Sequence, residues 1–275
     1  MSDTESTRWL VALDVDGTVL HEDGTCTDAV KHAVARATEA GHEIMLATGR
    51  SWETTAPVLE TLGIHPDYVV CANGALVMKR DDDEADGYRR HLIETFDPSD
   101  VLKTIASSLD DGRYMVEYPD GFRRYTQGMV DWNLDNAEMV PFERLLHDPV
   151  TRVVVVSPEH GEQEFLKIVE SMGLHQVTYS IGWTAWLDIA PLGVNKSTAL
   201  QRVRDWVGVP ASRVLVAGDG RNDIEMLTWA GASGGRAVAM GQAPDEVKEV
   251  ATEVTGAVDD DGLAAALLSL PGARD

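Results

Sequence analysis

Two acidic side chains, Asp14 and Asp16, follow directly on the apolar segment 9–13. An unbroken apolar run of this kind is typical of a parallel strand that is buried on both faces. Side chains two positions apart point to the same side of a strand, so the two carboxylates can converge on one reacting centre. Ligands of open α/β sheets collect outside the carboxyl ends of the strands, which is where both acids fall. The spacing therefore predicts that these two acids carry chemistry.

Further polar side chains lie at the ends of other predicted elements. Thr48 follows a second apolar strand, Lys196 lies where a helical pattern begins, and Asp219 and Asp223 follow a later strand. Gathered at one edge of a sheet, they would supply several carboxylates, one hydroxyl and one ammonium group. Crowded carboxylates raise one another's pKa, so a hard cation with oxygen ligands is the expected compensation. This set of side chains favours Mg²⁺ together with a phosphoryl group.

The elements that must position these side chains begin as alternating strands and helices. The rhythm over 9–72 is βαβαβ, which predicts parallel pairing. Between 87 and 186, strands follow one another without regular intervening helices, which indicates a separate α+β unit built on an antiparallel sheet. The parallel pattern resumes at 187–190 and continues with a helix over 193–207. We therefore predict an α/β fold, a doubly wound parallel sheet with an inserted α+β domain.

The acidic run 80–86 marks the first boundary between the two predicted domains. Such a run is usually a solvated connection. A calcium loop is the alternative, but the run lacks alternating ligands and the closing bidentate Glu. The predicted division is a core domain of residues 1–82 and 188–275 and an inserted domain of residues 83–187.

The amino-acid composition of the chain argues against some classes of binding partner. The chain has 275 residues, 44% of them hydrophobic, and a formal net charge of -23. Such a negative charge argues against nucleic acid and anionic membranes as partners, and an anionic substrate would need a local cationic site. Two cysteines, Cys26 and Cys71, are too few for a disulfide framework, and no apolar run approaches the length of a membrane span. We expect a cytoplasmic protein, either a monomer or a homodimer.

Four short segments are similar to the four motifs of the haloacid dehalogenase (HAD) superfamily. The long insert between the second and third segments resembles the type IIB α/β cap of Cof-type phosphatases. The resemblance covers nearly the whole chain, and the segments are Asp14-Val-Asp16-Gly-Thr, Thr48-Gly-Arg, Asn195-Lys196 and Gly218-Asp219-Gly-Arg-Asn222-Asp223.

The resemblance implies roles for the residues that would react. Asp14 would be the nucleophile that forms an aspartyl phosphate. Asp16 would protonate the leaving alcohol and then activate water, while its backbone carbonyl binds the metal. Thr48 and backbone N–H groups near Gly17 would hold phosphoryl oxygens, and Lys196 would neutralise charge on the nucleophile and the phosphate.

The resemblance also implies a magnesium site and further substrate contacts. Asp219 would bind Mg²⁺ directly, beside Asp14 and the carbonyl of Asp16. Asp223 would anchor the metal through water or steady Lys196, and Asn222 would orient the groups around the site. Arg50 and Asn73 are additional candidates for substrate contact. One departure stands nearby, since Gln242 occupies a position where the family commonly has Asn.

The activity implied is a magnesium-dependent phosphatase that acts on a small phosphorylated metabolite. A sugar phosphate is the substrate that the family analogy suggests. In the insert, aromatic and basic residues could contact it, although packing of the cap sheet or the domain junction is the favoured explanation for the tryptophans. These residues are Arg123, Arg124, Tyr125, Trp183 and Trp186.

Two alternatives stay open from the sequence. A phosphosugar mutase of the same superfamily would return the phosphoryl group to a substrate instead of to water. A signalling receiver domain also holds an aspartyl phosphate, but the chain length, Asp16 and an insert of about a hundred residues argue against it.

Overall fold

The computed structural model describes residues 8–127, 134–174, 177–181 and 186–274. No helix in these ranges is long and apolar enough to span a bilayer. The strands are β1 Leu10–Leu13, β2 Glu43–Leu46, β3 Tyr68–Cys71, β4 Leu76–Arg80, β5 Tyr88–Ile93, β6 Arg113–Glu117, β7 Arg123–Tyr125, β8 Ala137–Met139, β9 Arg152–Val156, β10 Val177–Ile181, β11 Trp186–Pro191, β12 Val214–Gly218, β13 Arg236–Ala239 and β14 Glu253–Val254. The α-helices are α1 Asp28–Glu39, α2 Trp52–Leu62, α3 Ser99–Ala106, α4 Glu162–Ser171, α5 Lys196–Val207, α6 Ile224–Ala232, α7 Asp245–Glu249 and α8 Gly262–Leu268.

Strand β1 lies in the interior of a parallel five-stranded sheet with the order β14-β13-β12-β1-β2. All four of its residues are completely buried, as the apolar run predicts. A parallel bridge between Ala47 and Val70 continues the pairing from the end of β2 toward β3. Because the strands are parallel, the residues after β1, β2 and β12 all fall at the same edge of the sheet. That edge carries the predicted acids.

The helices of this sheet pack in two groups. One group contains α1, α2 and α8, and the other contains α5 and α6. Thr27 caps the N-terminus of α1, because its side-chain oxygen accepts a hydrogen bond from the Val30 backbone N–H at 3.2 Å. Helix α5 matters most for the site, since its first residue is Lys196.

Contacts divide the chain into two units whose limits differ from the predicted domains. The core unit extends to His91 and resumes at Lys196, and the cap unit is Leu92–Asn195. The acidic run does not end the core unit: it connects β4 to β5, which are neighbours in a three-stranded sheet with β3. A backbone hydrogen bond from Asp81 N to Gly87 O, 2.8 Å long, closes this connection.

The cap unit contains a six-stranded sheet with the order β10-β11-β9-β6-β7-β8. Its pairs are antiparallel except for β7 with β8. Helices α3 and α4 cover one face, where residues such as Leu102 and Phe165 pack against Val153 and Ile189. The sequence prediction that 187–190 belongs to the parallel sheet is wrong, because β11 pairs antiparallel with β9 and β10. An apolar strand that is buried on both faces has the same sequence pattern in a parallel sheet and in an antiparallel sheet.

Candidate active site

Lys196 lies at the centre of the predicted acids. Its Nζ is 2.6 Å from Asp14 Oδ1 and 2.7 Å from Asp223 Oδ1. Lys196 and Asp223 are completely buried, and Asp14 is 5% exposed. Asp14 follows β1, and its backbone N–H donates to Ala217 O of β12 at 2.9 Å, so the sheet itself fixes the nucleophile candidate. The structure therefore brings together three residues that are far apart in the chain.

Asp219 completes a group of carboxylates with Asp14 and Asp223. One oxygen from each of the three lies within 4.8 Å of the others. Thr18 donates to Asp219 at 3.5 Å, a long hydrogen bond, from the turn that follows Asp16. Gly17 in that turn has φ +75°, and a Cβ there would lie 2.3 Å from an Asp219 oxygen. Only glycine therefore lets the turn approach Asp219 this closely.

The second oxygen of Asp223 organises the turn after β12. Oδ2 accepts the backbone N–H groups of Asp219 at 3.0 Å and of Gly220 at 2.9 Å. Because Oδ1 already accepts Lys196, both oxygens of this carboxylate are engaged within the protein. Of the two roles that the resemblance implies for Asp223, this geometry favours steadying Lys196.

Burial and like charges shift the titration of this cluster. Burial, then the neighbouring Asp223 carboxylate, raises the pKa of Asp14 well above its usual range. The same two causes raise the pKa of Asp219 to about 7. Burial alone would lower the pKa of Lys196, but the carboxylates of Asp14 and Asp223 outweigh it and the pKa is raised. Lys196 is thus a permanent cation that faces more negative charge than it can neutralise.

The excess of negative charge bears on whether a metal ion fits the carboxylate cluster. Three buried carboxylates face one ammonium group, and burial together with mutual repulsion raises the pKa of Asp14 and of Asp219. The donors are all oxygens, which hard divalent cations prefer. A divalent cation bound by Asp14 and Asp219 fits the residues present.

Asp16 lies outside this cluster. Its side chain is 62% exposed and forms a two-pronged ion pair with Arg50, with Nε 2.8 Å from Oδ2. The backbone N–H of Arg50 donates to Thr48 Oγ1 at 3.1 Å, which joins the second motif to the first. The hydrogen bond with Asp16 raises the pKa of the Arg50 guanidinium. Arg50 therefore holds the acid/base candidate in place.

Asn73 and Asn222 connect the remaining candidates. The Asn73 backbone N–H donates to Thr48 O at 3.0 Å, and Asn222 Nδ2 is 3.1 Å from Asn73 Oδ1. Asn73 is 8% exposed and adopts a left-handed conformation with φ 49°. Gly49 packs against it, since a Cβ there would lie 3.1 Å from Asn73 Oδ1. Asn73 thus has a structural part in ordering the Thr48 turn.

The sequence noted Gln242 only as a departure, whereas the structure gives it contacts at the site. Its Nε2 donates to Gly17 O at 2.5 Å and lies 3.4 Å from Asp219 Oδ2, and its Oε1 accepts the Val258 N–H at 3.0 Å. The available signal was its place just after β13, at the same edge of the sheet as Asp14.

The candidates of the cap unit have structural contacts within that unit. Arg123 is buried and pairs with Glu117 at 3.2 Å. Arg124 lies 5.2 Å from the Tyr118 ring centroid, and Tyr125 and Trp186 pack against buried Met115 and Val154. Trp183 lies outside the described residues.

Comparison with known proteins places these observations in a family. The family model described as haloacid dehalogenase-like hydrolase matches residues 11–267. The chain is 29% identical over 271 residues to 5-amino-6-(5-phospho-D-ribitylamino)uracil phosphatase YitU of Bacillus subtilis, covering 94% of this chain and 96% of that protein. It is 27% identical over 270 residues to pyridoxal phosphate phosphatase YbhA of Escherichia coli, covering 91% and 94%.

Solved structures agree with this match. A HAD subclass IIB sugar phosphatase has a TM-score of 0.76 at 21% identity, covering 94% of this chain and 97% of that one. The predicted α/β core with an inserted cap is confirmed, as is the prediction of an enzyme of the phosphatase type. The chain belongs to the family of haloacid dehalogenase-like hydrolases.

Proposed function

We propose that the protein is a magnesium-dependent phosphatase that hydrolyses a small phosphorylated metabolite through an aspartyl phosphate on Asp14. The observation that carries the proposal is the ion pair between Asp14 and Lys196, 2.6 Å long and buried among carboxylates. Lys196 occupies Oδ1 of Asp14, so Oδ2 is the oxygen proposed to attack phosphorus.

In the first step, Oδ2 of Asp14 forms a bond to phosphorus while the bond from phosphorus to the ester oxygen breaks. Asp16 gives its proton to the departing alkoxide, which leaves as an alcohol. Because Arg50 binds Asp16 through both oxygens, the side chain of Asp16 has to turn away from Arg50 for this transfer. Thr48 and the backbone near Gly17 hold the phosphoryl oxygens.

In the second step, water attacks phosphorus and Asp16 takes a proton from it, while the bond between phosphorus and Asp14 breaks. Inorganic phosphate leaves and Asp14 is regenerated. Mg²⁺, bound by Asp14, Asp219 and the carbonyl of Asp16, would lower the repulsion between carboxylates and phosphate. Asp223 keeps Lys196 in place, and Asn222 orders the turn through Asn73.

The proposed substrate is a sugar phosphate or a sugar-alcohol phosphate. Two of the relatives are named for a ribityl phosphate and for pyridoxal phosphate, both of which are phosphate monoesters of a primary alcohol. Arg50, with a side chain 29% exposed beside Asp16, is a proposed substrate contact. We place this reaction in the cytoplasm, in keeping with Cys26 and Cys71, neither of which is in a disulfide.

The test is release of inorganic phosphate from a panel of phosphorylated metabolites, with Mg²⁺ and with EDTA, for the native chain and for Asp14→Asn. We expect metal-dependent turnover that falls at least about 10⁴-fold in the variant. The panel contains sugar phosphates, sugar-alcohol phosphates, nucleotides, flavin mononucleotide and pyridoxal phosphate.

Each outcome tests a different part of the proposal. Turnover restricted to nucleotides or flavin mononucleotide would overturn the sugar-phosphate class but not the mechanism. Phosphoryl transfer between sugars without free phosphate would identify a mutase. Full turnover by Asp14→Asn would contradict the proposed aspartyl-phosphate intermediate.

A further inference from the structure

A second cleft in the core unit lies away from the carboxylate cluster. It has a volume of about 450 Å³. Its lining consists of charged and aromatic side chains together with one valine, namely Arg8, Asp67, Tyr68, Lys79, Arg80, Asp82, Trp206 and Val207. We call it the amino-edge cleft, because it lies where β1 and β3 begin.

The topology separates this cleft from the active site. Arg8 precedes β1 and Tyr68 begins β3, so both lie at the amino edge of the parallel strands, whereas Asp14 follows β1 at the carboxyl edge. Helix α5 runs between the two edges: it begins at Lys196 in the carboxylate cluster and carries Trp206 in its last turn. Its 12 residues correspond to about 18 Å.

The charge of the cleft is unusual for this chain. Acidic residues outnumber Lys and Arg by 46 to 23 in the whole sequence, whereas three cations and two acids line the cleft. Arg8 pairs with Glu43 at 2.5 Å, and Arg80 Nε lies 3.8 Å from Asp82, so the third cation, Lys79, is the one that matters here. Lys79 Nζ lies 5.7 Å from the centroid of the Tyr68 ring, and in the described part of the chain it has no carboxylate within ion-pair distance. Its ammonium group is therefore available to an anion.

Aromatic rings form one wall of the cleft. The ring centroids of Tyr68 and Trp206 are 5.1 Å apart, and His91 packs edge-on against Trp206 at 4.8 Å. Trp206 is still 41% exposed, which is unusual for a tryptophan that already packs against two rings. Burial, followed by the charges of Arg89 and Lys79, lowers the pKa of His91, which agrees with a locally positive environment. A partly exposed indole thus lines the same cleft as the ammonium group of Lys79.

We propose that the amino-edge cleft binds a nucleoside phosphate, with the phosphate on Lys79, beside the ion-paired Arg80, and the base stacked on Trp206. Cations and a stacking ring are the two features that recognise a phosphate and a base together. Asp67 and Asp82 supply acceptors for the hydroxyl and amino groups of such a ligand. The proposal is independent of the reaction at Asp14.

The experiment is isothermal titration calorimetry with ADP in EDTA, where the proposed metal-dependent turnover does not operate. We expect one binding site in the native chain. Lys79→Gln should weaken ADP binding at least about tenfold, and Lys79→Arg should restore it, since a charge-assisted contact to phosphate is lost and regained. Trp206→Ala should weaken ADP and leave the weaker binding of inorganic pyrophosphate unchanged.

Controls keep the result specific to the cleft. Lys31→Gln removes another half-exposed lysine of the core unit, one that pairs with Asp28 at 3.6 Å, and should not change ADP affinity. Asp14→Asn should also leave it unchanged. Native affinity in Lys79→Gln, loss of ADP binding in Asp14→Asn, or no heat with the native chain at millimolar ADP would each overturn the proposal. Melting temperatures show that each variant is folded.

Discussion

The core unit and the cap unit both bury charged side chains, but they balance them differently. In the core unit, Lys196 alone faces Asp14, Asp219 and Asp223. In the described part of the cap unit, each of two buried arginines has a carboxylate partner, Arg123 with Glu117 at 3.2 Å and Arg152 with Asp188 at 2.8 Å. A matched pair needs nothing further, whereas an unbalanced group calls for a cation from outside.

This difference in charge balance indicates which group of buried charges is a candidate for catalysis. A buried pair of opposite charges is not by itself a sign of chemistry, because its two charges compensate one another. Register places Glu117 beside both Arg123 and Arg152 across β7, β6 and β9, so the cap pairs follow the strand alignment. In the core cluster, burial and the neighbouring Asp223 carboxylate instead raise the pKa of Asp14 and of Asp219, and such shifts concentrate at functional sites.

Lys196→Met would break the core cluster most severely. We expect turnover to fall at least about 10³-fold, because the charge proposed to stabilise the nucleophile and the phosphate is gone. The free energy of unfolding should also fall by about 3–5 kcal/mol, since buried carboxylates lose their partner. Phosphate release per folded molecule measures the turnover, and urea unfolding followed by circular dichroism measures the free energy of unfolding. Turnover within tenfold of native would contradict the role of Lys196.

Arg152→Met applies the same loss to the cap unit. We expect the free energy of unfolding to fall by about 3–5 kcal/mol, because buried Asp188 loses its ion pair with Arg152. The double variant Arg152→Met with Asp188→Leu should recover native stability to within about 1 kcal/mol. Urea unfolding of the three chains provides the measurement.

The corresponding double variant in the core sharpens the contrast. Lys196→Met with Asp223→Leu should not recover turnover, even where stability improves. If the cap double variant lost turnover as completely as Lys196→Met, the cap pair would have a catalytic part and the comparison would fail.

Gln242→Ala tests a residue that holds the cluster from its edge. Its Nε2 contacts Gly17 O and Asp219, so its loss should loosen both the turn and the proposed metal ligand. We expect kcat to fall by about tenfold and the Mg²⁺ concentration for half-maximal activity to rise by a similar factor. Gln201→Ala, an exposed position on α5, is the matched control. A change in kcat with no change in the Mg²⁺ requirement would argue against action through Asp219.

The sequence predicted the core of this molecule better than the cap. Apolar runs and capping residues in the sequence indicate parallel strands that alternate with helices. The acids after β1 and β12 lie at the carboxyl ends of parallel strands, where ligands of such sheets bind. Contacts that bridge distant segments could not be derived in this way. That Asp16 pairs with Arg50 and Asn222 with Asn73 depends on how turns fold back, which no local pattern contains.

The cap was harder for a physical reason. Strand β11 has the composition of a parallel core strand, yet its partners are antiparallel β9 and β10. Hydrophobic pattern reports burial, not the direction of the neighbouring strand. The same limit applies to Arg123, since a basic residue that binds substrate and one that neutralises a buried Glu117 have the same appearance in a sequence.

His42 extends the comparison to a buried titratable group that carries no charge, and we expect here the smallest effect. It is 4% exposed, its Nδ1 accepts the Trp9 N–H at 3.2 Å, and its Nε2 is 2.9 Å from Pro271 O. The Trp9 donor assigns the ring proton to Nε2, so a second proton on Nδ1 would oppose Trp9. Burial lowers the pKa of His42, outweighing the hydrogen bond to Pro271.

The unfolded chain therefore binds a proton at His42 near pH 6.5 that the folded protein resists. Stability from this residue is complete above that pH and is lost as the pH falls below it. Between pH 7.5 and 5.5 the melting temperature of the native chain should drop by about 2 °C more than that of His42→Gln, whose amide can donate and accept but does not titrate. His65→Gln, at an exposed position, should follow the native chain. An equal pH dependence in His42→Gln and the native chain would mean that burying a neutral histidine costs this fold nothing on acidification, and only the charged clusters would then govern its pH response.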